Sequence, residues 1–126
     1  MIAQTMLDGH HALAWVLIVS NAAVGVWAAA AHRWPRLRGR PFQIALVGAF
    51  VTVMVQAVTG AVLIRRDHLQ PARLHGLYGF SAVIAVGIVA SYRTSPGMKG
   101  KEHLLYAGGC LFIMGLGLRE LVLTTR

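Results

Sequence analysis

Four long apolar runs constrain this chain more than anything else in it. They cover residues 12–31, 44–64, 74–92 and 103–123. Each is about 20 residues long, enough to cross roughly 30 Å of hydrocarbon at about 1.5 Å per helical residue. The third, LHGLYGFSAVIAVGIVASY, holds no formal charge. A soluble domain of 126 residues has no interior large enough for a chain that is 56% hydrophobic, with a mean hydropathy of +0.61. Only 13% of its residues are charged, against roughly 25% in ordinary soluble domains. The expected fold is therefore all-α, a single integral membrane domain. Its connectors are short, which makes sequential helices antiparallel neighbours in an up-down-up-down four-helix bundle.

The net charge of +8 does not point to nucleic acid, because the basic residues sit in short loops between spans. There they set topology and meet anionic headgroups of membrane lipids. The first loop carries Arg33, Arg36, Arg38 and Arg40, and the third carries Arg93, Lys99 and Lys101. These two loops share a side. The other side has Arg65, Arg66, Arg73, Arg119 and Arg126. The bias places loops one and three in the cytoplasm and both termini outside a cytoplasmic membrane. Trp15, Trp34, Tyr78, Tyr92 and Tyr106 lie near helix ends, where interface anchors belong. Pro35 and Pro41 keep the first two helices apart. Asp8 suits an N-cap for the first, and the N-terminal residues lack the basic start of a cleaved signal peptide. Cys110, the single cysteine, reads as a small buried hydrophobe. No internal repeat stands out.

Small and polar residues recur at helical spacing in every span and are expected to face inward. They are His10, Ala14, Asn21, Gly25, Ala28 and His32 in the first, and Gly48, Thr52, Gln56 and Gly60 in the second. The third has His75, Gly79 and Ala82, and the fourth Gly108, Phe112, Gly115 and Arg119. Gln56, at mid-span, reads as an interhelical hydrogen bond. Arg119 and Glu120 interrupt the last span and suggest snorkelling, mutual neutralisation or a partner contact.

The six histidines supply the candidate chemistry. His10 or His11 opens the first helix and His75 the third, which places two imidazoles at one level across the bundle diagonal. His32 closes the first helix and His103 opens the fourth, at the opposite face. His68 lies in a loop and reads as solvated. Two nitrogens on opposite sides of a flat macrocycle are what bis-imidazole haem ligation needs. Gly76 and Gly79 leave room for such a ring, and Arg65, Arg66 or Arg73 could pair with its propionates. With only four acids, a closed zinc cage is not expected.

Histidines on alternate helices, with His75-Gly76 opening the third, resemble the cytochrome b561-like and haem A synthase-like membrane bundles. That resemblance implies a haem b between His10 or His11 and His75, and electron transfer as the function. There is no P-loop, Rossmann glycine pattern, HExxH or GxSxG, so independent catalysis is not expected. Two readings stand. One is an accessory subunit that packs into a larger respiratory membrane complex or a homo-oligomer. The other is a b-type haem protein.

Overall fold

The computed structural model describes the backbone of residues 2–67 and 73–124, and the side chains of residues 9–62, 77–120 and 122. Four helices account for nearly all of it: α1 (Ile2–Arg33), α2 (Arg40–Asp67), α3 (Arg73–Tyr92) and α4 (Glu102–Thr124). No strand occurs among the described residues. All-helical architecture follows from apolar runs rich in Ala and Leu with no internal proline, since each peptide group bonds within its own helix. The first helix starts earlier than expected. Ala3, Gln4, Met6 and Leu7 are good helix formers, so the helix runs through to Ile2. Asp8 thus lies within the helix and is not its N-cap.

Both described connections are built alike. After α1 comes a 3-10 turn, Pro35–Leu37, and after α3 another, Pro96–Met98. Each turn starts on proline and is followed by a basic residue, a glycine and a second basic residue: Arg38-Gly39-Arg40 and Lys99-Gly100-Lys101. The two glycines have φ of 137° and 83°, where a side chain would be strained. Sequence reading missed this six-residue echo, Pro-x-x-basic-Gly-basic, because it is short and its two copies share few identities. In the first copy Arg38 donates from Nε to Ala31 O at 2.7 Å and from a terminal nitrogen to His32 O at 2.9 Å. Trp27 Nε1 donates to Leu37 O at 2.9 Å. The two Arg38 bonds satisfy carbonyls that the end of α1 leaves without helical partners, and together with the Trp27 bond they fold the connection back onto its helix.

α1 packs on α4 and on α2, and α3 packs on α4. One core layer holds Val24, Ala28, Phe42, Leu46, Ala49, Val89, Tyr106, Ala107 and Cys110. A second holds Leu17, Ile18, Val53, Ala82, Ala85 and Ile113. Glycines let the backbones close up at three places. A Cβ on Gly25 would stand 2.8 Å from Leu111 Cδ2, on Gly109 2.5 Å from Val89 Cγ2, and on Gly117 2.7 Å from Ile18 Cγ1. Each glycine is the hole for an aliphatic knob on the facing helix.

The inward face of α4 differs from the expectation. His103, Tyr106, Cys110 and Ile113 are buried, with Gly109 and Gly117 against neighbours. Gly108, Phe112, Gly115 and Arg119 are exposed. α4 carries two neighbouring glycine pairs, 108/115 and 109/117, and the bulk of Val89 and Ile18 selects the 109/117 pair. Gly48 on α2 also faces out, while Phe42, Leu46, Ala49 and Val53 face in. Tyr106, expected at an interface, is buried. Trp34 and Tyr92 are exposed at helix ends, whereas Trp15 is exposed in the middle of α1, because that helix starts earlier than expected.

Candidate functional site

Three polar residues lie along the interior side of α1: His10, Asn21 and His32. They are eleven residues apart, about three helical turns, which returns each to nearly the same face. His10 and Asn21 are buried and His32 half-buried. Asn21 Nδ2 turns back to Leu17 O at 2.9 Å, while its Oδ1 has no hydrogen-bond partner.

At one end, His10 is held by α2. Its Nδ1 lies 3.0 Å from Thr59 Oγ1, and that hydroxyl donates its own proton to Gln56 O at 3.0 Å. With its proton on Gln56 O, the hydroxyl turns a lone pair to the ring, an arrangement that suits the tautomer protonated at Nδ1. Gln56 Nε2 donates to His10 O at 2.9 Å and stands 3.4 Å from His10 Nε2. This is the interhelical bond expected of Gln56. Gly60 makes the close approach feasible: a Cβ there would lie 3.3 Å from His10 Cε1. Thr59 was not singled out in the sequence, although a polar and small cluster, Gln56-x-x-Thr59-Gly60, inside an apolar helix was a readable signal.

The other residues proposed at this end fall out differently. His11 is exposed. Gly79 is half-buried, and a Cβ there would meet nothing within 4 Å. Arg73 and His75 begin α3, but their side chains, like those of Arg65, Arg66 and all of His68, lie outside the described residues. Of the proposed site, the structure thus positions His10 and separates it from His11.

At the opposite end, α4 opens with His103, buried against Phe42 at 5.0 Å between ring centroids and against Tyr106 at 5.5 Å. Arg38, Glu102 and His32 are its electrostatic neighbours. His103 Nε2 and His32 Nδ1 are both buried without a hydrogen-bond partner. Glu102, the first residue of α4, accepts from Gly100 N at 2.8 Å. That bond holds its carboxyl below the usual range, with smaller help from its own backbone amide and from the positive charge of His103 and Arg38.

The charged interruption of α4 is partly accounted for. Arg119 Nε donates to Tyr78 Oη on α3 at 3.0 Å, and Glu120 is half-buried. No group of three or more metal-ligating side chains occurs among the described residues. No protein-family model matches the chain, and neither does any curated protein or solved structure.

Proposed function

We propose that this chain is a four-span integral membrane subunit, an up-down-up-down bundle without catalysis of its own, that packs into a larger respiratory membrane assembly. The observation that carries this reading is the outer surface. Trp15, Val19, Val26, Ile44, Val47 and Val58 on α1 and α2 are more than half exposed, as are Leu77, Phe80 and Phe112 on α3 and α4. Apolar cover of this kind around every helix needs hydrocarbon, not water, as solvent. Two helical stretches, Gly9–Arg33 and Arg40–Val62, are long and apolar enough to cross a membrane, and Leu77–Tyr92 is a shorter apolar helix. Only 33% and 17% of the apolar windows of the first two are buried inside the bundle, whereas a soluble core helix is mostly buried.

The helix pairings support the alternating arrangement. Ile18 meets Gly117 and Gly25 meets Leu111, so α1 and α4 run in opposite directions. His10 meets Thr59, while Trp27 meets Phe42, which reverses α2 against α1. Tyr78 meets Arg119 and Val89 meets Gly109, which reverses α4 against α3. With loops one and three inside, both termini emerge on the outer face. Gly108 and Gly115, exposed two turns apart on α4 on either side of the exposed Phe112 ring, form a small-large-small face on which another helix can pack. Purification in mild detergent tests the subunit role. Co-purification of a larger membrane protein in fixed ratio supports it, and a chain that runs alone under every mild condition contradicts it.

A second reading, a haem b held by His10 and His75 for electron transfer, is favoured by one observation. The His10 Nδ1 faces the Thr59 hydroxyl at 3.0 Å, the kind of outer partner that orients an iron-ligating histidine. His75 would supply the second nitrogen and Arg73 a partner for a propionate. The haem would supply one-electron redox chemistry. The Gln56 amide, 3.4 Å from Nε2, has to swing aside for iron to reach it. A reduced-minus-oxidised spectrum decides: a b-type α band lost on His75→Ala and on His10→Ala supports this reading, and a flat trace ends it.

A further inference from the structure

The two proline-initiated turns lie side by side. Arg40 opens α2, and Lys101 immediately precedes α4. Two residues on from them stand Phe42 and His103, whose rings are 5.0 Å apart between centroids, and Phe42 also meets Tyr106 at 5.8 Å. The steps Arg38-Gly39-Arg40 and Lys99-Gly100-Lys101 thus reach the same end of the bundle on neighbouring helices. Seven cations flank these turns, against one carboxylate, Glu102. That carboxylate is taken up by Gly100 N–H. Arg38 is a brace, bonded to Ala31 O and His32 O. Arg36, Arg40, Lys99 and Lys101 are exposed, and their side chains make no hydrogen bond or ion pair with any described residue. Like charges gathered on one surface repel, so this end of the molecule calls for an anion.

The surroundings narrow what the anion is. Trp34 and Leu37 in the first connection and Tyr92 at the start of the second are exposed, and the Arg33 guanidinium lies 5.7 Å from the Trp34 ring centroid. Apolar and aromatic side chains interleaved with cations suit a partner that has acyl chains beneath an anionic head; a free phosphate or a nucleic acid would leave the apolar part unmatched. The cations also come in two sets of like build, one per turn. Both glycines leave the backbone open to approach: a Cβ on Gly39 would meet only Pro41 Cδ, at 3.9 Å, and one on Gly100 nothing within 4 Å. Two such steps on adjacent helices match a headgroup with two phosphates joined by a short linker, and basic pockets between membrane helices are known to take headgroups of this class.

We infer that the two turns form one binding surface for an anionic phospholipid whose headgroup carries two phosphates, with one turn's free cations serving each phosphate and Trp34 and Leu37 against the acyl chains. On the membrane-crossing reading, from which this follows, both turns lie at a lipid–water boundary, on the inner face.

The full chain is reconstituted in phosphatidylcholine nanodiscs doped with tetraoleoyl diphosphatidylglycerol or, at equal total charge, with dioleoyl phosphatidylglycerol. Lipids that stay with the protein after transfer to detergent are counted by native mass spectrometry. One diphosphate lipid per chain is expected to be retained in preference to its monophosphate counterpart. Arg40→Gln and Lys101→Gln are each expected to weaken retention about fivefold, with helix content unchanged by circular dichroism. Arg126→Gln, beyond the far end of α4, is expected to leave retention as it is. Equal retention of the two lipids by the wild type, which needs no variant to read, overturns the inference and leaves the membrane crossing intact. A loss in Arg126→Gln as large as in Arg40→Gln overturns it too. A chain that never enters the nanodisc contradicts the crossing itself, and this surface with it.

Discussion

At the residue scale, the most specific feature is the proton assignment around His10. Thr59 spends its single hydroxyl proton on Gln56 O and turns a lone pair to His10 Nδ1. Thr59→Val keeps the shape and removes the acceptor. It is expected to destabilise the bundle by about 1 kcal/mol, the scale of interhelical polar contacts in membranes, measured by unfolding in mixed micelles; no loss would remove the tautomer argument. Glu102 gives a pH-dependent counterpart. Its folded-state pKa lies below the ordinary carboxylate value, so its bond to Gly100 stabilises the loop above that value and is lost as pH falls through the folded one. The Gly100 amide resonance is expected to titrate with a midpoint below that of an unperturbed glutamate, and to stop titrating in Glu102→Gln. The sequence made His10 a candidate but left it level with His11. What separates them is a 100° rotation on the helix and the pocket made by Thr59 and Gly60, neither visible until α2 is in place.

At the scale of the element, α4 teaches the most. Its two glycine stripes, 108/115 and 109/117, are equivalent on composition and periodicity. The choice between them belongs to Val89 and Ile18 on other helices, which is why the expectation picked the wrong face. The structure makes a sharp contrast. Gly109→Ala and Gly117→Ala place a Cβ 2.5 and 2.7 Å from Val89 and Ile18 and are expected to cost about 1–3 kcal/mol through overpacking. Gly108→Ala and Gly115→Ala meet nothing within 4 Å and are expected to be neutral in the isolated chain. Thermal unfolding of the four variants in one detergent checks this, and equal effects from both stripes would reverse the assignment of faces. The helices themselves were legible from their apolar runs. The early start of α1 and the twin proline-initiated connections were not, because neither carries a hydrophobic period.

At the scale of the whole molecule, the fold works without a soluble core. Its interior is two modest layers closed by glycine contacts, and many of its large aliphatic and aromatic side chains point outward. The proposed membrane crossing accounts for that surface, since helices that are hydrophobic all round have no reason to prefer their own interior. The small-residue faces were correctly read on α1, where Asn21, Gly25 and Ala28 are buried, because α1 touches both α2 and α4 and has little choice of side. The polar seam of α1 runs from the buried His10 at one end, past Asn21, to the half-buried His32 at the other.

The alternating membrane crossing is the claim on which the rest depends, and cysteine labelling of intact cells tests it most directly. Single cysteines at Met6, Arg36, Gln70, Gly97 and Thr125, in a Cys110→Ala background, are treated with a membrane-impermeant maleimide. Met6→Cys, Gln70→Cys and Thr125→Cys are expected to react from outside, and Arg36→Cys and Gly97→Cys only after permeabilisation. Reaction of Arg36→Cys from outside while both termini stay protected would contradict the orientation, and release of the protein from membranes by alkaline carbonate would contradict the crossing itself.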